Sequence, residues 1–132
     1  MNGLTVRWSL EGAPEGVEER LAEYVEMTSH ARFTNMTGLK YKTWRMRRGE
    51  WFEGAYVFED DAARAAFQAD FERGAAESPG SRIIGTPPVL IEPCDIVAVA
   101  EGGGGFSPIK RGVPATGATE RQFDATPLIQ GD

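Results

Sequence analysis

LKYKTWRM (Leu39 to Met46), RRGE (Arg47 to Glu50) and WFEGAYVF (Trp51 to Phe58) form the stretch that decides the fold. Two runs rich in β-branched and aromatic residues flank a four-residue polar turn, which reads as a β-hairpin. In Ala55-Tyr56-Val57-Phe58 neither alternate face is polar, so both faces of that strand are expected to be covered. By alternation Arg45 shares a face with Tyr41 and Thr43, opposite Trp44.

Upstream, Leu4, Val6, Trp8 and Leu10 alternate with Thr5, Arg7 and Ser9, the period of a strand with one apolar face. Gly12-Ala13-Pro14 breaks it. Val17, Leu21, Tyr24, Val25 and Thr28 then fall on one side of a helix expected from about Pro14 to Phe33. Glu15, Glu18, Glu19, Glu23 and Glu26 lie mostly on the other side, and the acids near its start suit the helix dipole. Downstream of the hairpin, Asp60 or Asp61 can cap a second helix carrying Ala62 to Phe71. Glu77-Ser78-Pro79-Gly80 ends that helix and Pro87-Pro88 reads as loop. Val89 to Ile91 and Ile96 to Val99 are strand-like, separated by Pro93, so this segment is an edge strand, a bulge or two short strands.

The resulting order is β-α-β-β-α-β, an α+β chain of ferredoxin-like topology with an antiparallel sheet and helices on one face. Apolar residues on both strand faces favour a homodimer whose sheets pack together, the dimeric α/β-barrel arrangement. From Gly102 the composition changes, with seven of the 16 glycines and three of the eight prolines in the last 31 residues. The expected organisation is one domain over residues 1–101 and a tail over 102–132 with little structure of its own. Phe106, Ile109, Val113, Phe123, Leu128 and Ile129 give that tail apolar side chains that could dock on the body or a partner.

Composition narrows the function. The 132 residues carry a net charge of -6, so a basic nucleic-acid-binding surface is not expected. No apolar run approaches the ~20 residues of a membrane span. Met1 leads straight into a strand pattern rather than a secretory signal, and the single Cys94 permits no intramolecular disulfide, so a cytoplasmic protein is expected. The Asn35-Met36-Thr37 glycosylation pattern then has no role. His30 is the one histidine, so a two-His iron site cannot form within one chain, and no Cys/His set exists for zinc. Gly102 to Gly105 lacks the strand, turn and helix context of a nucleotide loop, and no Gly-x-Ser-x-Gly elbow is present.

Met36-Thr37-Gly38-Leu39-Lys40-Tyr41-Lys42-Thr43-Trp44, followed by Phe52-Glu53-Gly54-Ala55-Tyr56-Val57-Phe58-Glu59-Asp60, resembles the YdhR-like monooxygenase family over roughly residues 4 to 100. The chain departs from that family's pattern at Met36-Thr37, where a Pro-containing lead-in is usual, and at Glu53, where Gly is common. The resemblance implies a dimeric α/β-barrel and oxygen insertion into an aromatic or polyketide-like molecule without metal, flavin or other cofactor.

Such chemistry needs an apolar pocket that binds an electron-rich phenol or enol, removes its proton, stabilises the anion and excludes water. Trp8, Tyr24, Phe33, Trp44, Tyr56 and Phe58 are the candidate lining, and the competing reading is that they are core and dimer interface. His30, Tyr41 and Arg45 are the polar candidates. His30 has the one side chain whose ordinary pKa makes it a base near neutrality, although a capping or surface role is commoner. Arg45 could hold an acidic or enolate substrate, or could belong, with Lys40, Lys42, Arg47 and Arg48, to a solvated basic hairpin. Two other functions use the same residues: a non-oxidative cyclase, isomerase or dehydratase, and a small-ligand-binding dimer without turnover.

Overall fold

A computed structural model describes residues 1–106. Met1–Ala98 forms one compact unit, and the chain from Val99 onward belongs to a second. Of that second unit, the described residues include a turn closed by the Gly105 N–H donating to the Gly102 carbonyl at 3.0 Å. Of the tail expected over residues 102–132, Phe106 is described and exposed, and the residues from 107 on, with the other expected docking residues, lie outside the described residues.

The first unit is built on four strands: β1 Asn2–Ser9, β2 Leu39–Arg47, β3 Trp51–Phe58 and β4 Leu90–Asp95. They form one antiparallel sheet in the order β2-β3-β1-β4, the ferredoxin-like arrangement expected. β4 runs through Pro93 without interruption, tolerated because this is an edge strand. Ile96 to Val99, read as strand-like, lies beyond its end. Leu4, Val6 and Trp8 of β1 and Phe52, Tyr56 and Phe58 of β3 share one face and form the core with Val17, Leu21, Val25, Phe33 and Ile84 from the helical segments.

The first helix departs from its expected form in an informative way. It starts at Val17 rather than Pro14 and runs as α1 Val17–Tyr24, a π turn Val25–Ser29, and α2 His30–Phe33. Its buried residues are Val17, Leu21, Val25, Ser29 and Phe33, a strict spacing of four. An α-helix has 3.6 residues per turn, so a four-residue repeat drifts by roughly 40° per step. The wider π turn, in which the His30 N–H reaches back to the Val25 carbonyl, absorbs part of that drift. It turns Ser29 and Phe33 toward the sheet. Thr28, expected on the apolar side from an unbroken α-helical count, is exposed.

The second helical region also differs. Asp60 caps α3 Asp61–Arg73 by accepting from the Ala63 N–H at 2.8 Å. A 3-10 turn over Ala75–Glu77 follows, and then α4 Pro79–Ile84 where only a stop was expected. Ser78 as cap, Pro79 in the first turn and Gly85 at φ 99° just past the end are ordinary helix boundaries that the Pro and Gly content concealed. Gly80 of α4 is there for space: a Cβ would stand 3.0 Å from Cζ2 of Trp8. The Trp8 Nε1–H donates to Ser81 Oγ at 2.9 Å, and that hydroxyl donates to the Ala75 carbonyl at 2.7 Å.

On the opposite sheet face the register places Arg7, Glu53 and Arg45 in one row across β1, β3 and β2. Glu53 is fully buried; Arg7 Nη2 approaches its Oε1 at 2.7 Å, while Arg45 Nε donates to its Oε2. The Arg7 guanidinium also lies 4.2 Å from the Trp51 ring centroid. Glu53 is therefore an anion between two cations. Glu53→Ala leaves both arginines facing each other and is expected to cost about 2–3 kcal/mol in urea unfolding; a cost under about 0.5 kcal/mol would mean the row contributes nothing.

Candidate functional site

The helix-facing side of the sheet does not fill completely. A cavity of about 210 Å³ opens between β1, β2, β3, the π turn, α3 and the start of α4. Its aromatic walls include Trp8, Tyr24, Phe33, Trp44, Tyr56 and Phe67. Three of them are locked by ring contacts: Phe33 meets Tyr56 and Phe67 edge-on at 5.7 and 5.9 Å, and Tyr56 lies 4.9 Å from Phe67. Trp8 offers the cavity only ring surface, because its N–H is spent on Ser81.

Lys42 enters this wall. It faces the helices because it shares strand parity with Trp44, and the register sets it opposite Tyr56. Its Nζ lies 3.6 Å from the Phe33 ring centroid, 4.4 Å from Tyr56 and 4.5 Å from Trp44. Among the described residues it has no carboxylate within ion-pair distance and no hydrogen-bond partner. Gly54, on the same face, makes this possible: a Cβ there would stand 3.2 Å from Lys42 Cε and 3.3 Å from Tyr56 Cε1.

Two opposing effects act on that amine. Ring faces attract an ammonium. Burial penalises the charge more strongly, the nearby Arg32 guanidinium adds repulsion, and the Lys42 pKa is pushed down to about 6. Burial moves Tyr56 the other way: its phenol is pushed above the ordinary tyrosine range, with the Arg32 charge opposing part of the shift. The Tyr56 hydroxyl has no hydrogen-bond partner among the described residues. Near neutral pH the cavity therefore presents an uncharged amine beside a protonated phenol. Arg32, 4.8 Å over the Phe33 ring, is exposed at the mouth.

The expected site residues divide by face. Trp8, Tyr24, Phe33, Trp44 and Tyr56 line the cavity, whereas Phe58 stacks on Tyr56 at 5.8 Å within the core and is not part of the lining. Arg45 is on the opposite face, bound to Glu53, and does not reach the cavity. Tyr41, paired with Val57 after a bulge between Leu39 and Tyr41, also belongs to the opposite face. His30 stands beside Trp44 with ring centroids 6.0 Å apart and lines a neighbouring depression with Tyr41 and Lys40. Phe33, Lys42 and Trp44 form the wall between the two hollows. Lys42 and Arg32 were not among the expected site residues. The parity that removes Arg45 from Trp44's face is the same signal that puts Lys42 on it. Arg32 had no such signal, since its position depends on the π turn.

The chain is similar to a crystal structure of NE2512, a protein of unknown function from Nitrosomonas europaea. The TM-score is 0.56 at 21% identity, over 77% of this chain and 94% of that one. At this identity the likeness concerns the fold alone. No family model matches the chain, and no curated protein matches it. Among the described residues, no group of three or more His, Cys, Asp or Glu side chains could hold a metal ion, and no helix is long and apolar enough to cross a membrane.

The buried amine makes stability depend on pH. Lys42 has a folded-state pKa below its unfolded value, so between about 6 and 10.5 the unfolded chain binds the extra proton. Its contribution therefore rises with pH across that window, and below about 6 its cost is fully present. Lys42→Met keeps the length and removes the charge, and is expected to stabilise the fold at pH 7 by on the order of a few kcal/mol. Thermal unfolding of both proteins from pH 5 to 9 reads this directly; a destabilised variant, or a gap between the two that does not narrow as pH rises, would contradict the placement of Lys42.

Proposed function

We propose that this protein is a small-molecule enzyme that takes a proton from a single-ring phenol or enolisable carbonyl compound, with Lys42 as general base. The observation that carries this reading is the Lys42 amine held in an aromatic cavity, 4.4 Å from the centroid of the Tyr56 ring. The substrate proton passes to Nζ, and the new ammonium sits over three ring faces. The oxyanion left on the substrate accepts a hydrogen bond from the Tyr56 phenol. At about 210 Å³ the cavity suits one ring with short substituents rather than a fused polyketide.

The resemblance to the YdhR-like family carries this step toward cofactor-independent monooxygenation. A phenolate with an adjacent ring C–H would react with dioxygen to give a quinone and water, one oxygen atom entering each product. The same anion, protonated elsewhere, gives an isomerase or cyclase reaction without oxygen. A homodimer through the open sheet face fits this reading, since Ala55 and Val57 leave that face partly apolar beside the Arg7-Glu53-Arg45 row. A cytoplasmic location fits the exposed free thiol of Cys94, which a reducing compartment would preserve.

A panel of single-ring phenols, hydroquinones and acetophenones, followed by solvent deuterium incorporation and oxygen uptake, tests the proposal. Turnover of an accepted compound is expected to rise with pH through a midpoint near 6 and to fall at least about 100-fold in Lys42→Arg, which keeps the charge but supplies no base. Oxygen uptake would select the monooxygenase, and deuterium exchange without it the non-oxidative enzyme. Binding of these compounds with neither exchange nor uptake would leave a ligand-binding protein and overturn the enzymatic reading.

A further inference from the structure

Lys42 has a second capability that proton transfer does not use. A lysine nitrogen without an ion pair, facing a cavity and flanked by apolar rings, is also a nucleophile toward carbonyl carbon. The approach is open on the cavity side, since Gly54 places no side chain across Cε. Its other cationic neighbour has a distinct position. Arg32 lies at the mouth and makes no ion pair or hydrogen bond among the described residues, whereas Asp70, the acid on the cavity lining, is engaged by Arg73 at 2.6 Å. The amine and the guanidinium thus border the same Phe33 ring, at 3.6 and 4.8 Å from its centroid, and among the described residues the guanidinium, the residue type best shaped to bind a carboxylate, is unpaired.

We infer that the cavity takes a keto acid with a single aromatic ring, its carboxylate held by Arg32 and its ketone carbon bonded reversibly to Lys42 as an imine. This rests on the pocket assigned above and adds a covalent step to it. Nζ attacks the carbonyl carbon, forming the C–N bond as the C=O π pair moves to oxygen. The Tyr56 phenol, whose ring centroid lies 4.4 Å from Nζ, donates a hydrogen bond to that oxygen. The nitrogen loses its two protons, the carbinol oxygen leaves as water, and the C=N bond closes. No oxidant or reductant is consumed, and water reverses the step. Protonated at nitrogen, the iminium withdraws electrons from the adjacent C–H bond more strongly than the ketone does, and water takes that proton, since the Lys42 nitrogen is then bonded to substrate.

Phenylpyruvate, phenylacetaldehyde as the analogue without the carboxylate, and sodium cyanoborohydride provide the test on the full-length chain. Cyanoborohydride reduces an imine to a stable secondary amine, which peptide mass spectrometry assigns to Lys42 or to the other lysines, Lys40 and Lys110. The expected result is phenylpyruvate labelling at Lys42 at least about 10-fold above Lys40, lost in Lys42→Met. Arg32→Gln is expected to lower phenylpyruvate labelling about 10-fold, the scale of one charge-assisted contact, and to leave phenylacetaldehyde labelling within about 2-fold. Circular dichroism confirms that each variant is folded. Labelling spread evenly over Lys40 and Lys42 overturns the imine, and equal losses for both probes in Arg32→Gln overturn the carboxylate contact. Deuterium exchange at the phenylpyruvate methylene separates the two levels. Exchange that needs Lys42 without any adduct overturns the imine and leaves Lys42 as a base. Absence of both overturns the imine and the base together.

Discussion

A lysine nitrogen held over three aromatic rings, with no carboxylate in reach among the described residues, is an expensive thing to build into the covered face of a sheet. Apolar packing would gain by replacing it. The surroundings are arranged around it nonetheless. Gly54 gives up its side chain so that Lys42 can cross the strand, and Tyr56 forms the opposite wall. The π turn brings Phe33 beneath the amine and leaves Arg32 close enough to oppose its charge. Each of these also shapes the cavity, so the amine and the hollow share one origin.

The two faces of the sheet handle charge in contrasting ways. On the open face, Glu53 is buried between Arg7 and Arg45, and the register that aligns the three residues across β1, β3 and β2 lets each charge find its opposite. On the helix face, Lys42 receives no such partner among the described residues. An anion there would restore an ammonium and remove the reactivity of the neutral amine. Pairing thus stabilises one face, and on the proposed reading the lack of it among the described residues sets the chemistry of the other.

Much of this architecture was legible in the residues. Period-two alternation in Leu4 to Leu10 sufficed for β1, the two runs about the Arg47 to Glu50 turn for the hairpin, and the Asp60-Asp61 pair marked the start of α3. What was hidden depended on geometry that no local pattern carries. The π turn shifts the buried position from Thr28 to Ser29 and decides where Phe33 and Arg32 point, yet its only trace is a spacing of four held over 17 residues. α4 was concealed because Pro79 and Gly80 read as breakers, while one starts the helix and the other makes room for Trp8. Lys42 could have been found, since its parity with Trp44 was plain. It was grouped with Lys40, Arg45, Arg47 and Arg48 as a solvated basic run because charge is ordinarily a surface property.

The protonation state of Lys42 tests the account most directly. With 13C-labelled lysine and Lys42→Arg to assign the signal, the chemical shift of the Lys42 Cε carbon can be followed from pH 4 to 11. A midpoint near 6, far below the ordinary lysine value, is the predicted result. A midpoint near 10 would mean that the amine reaches water and carries its charge at neutral pH, and the proposed base and nucleophile would both be lost with it.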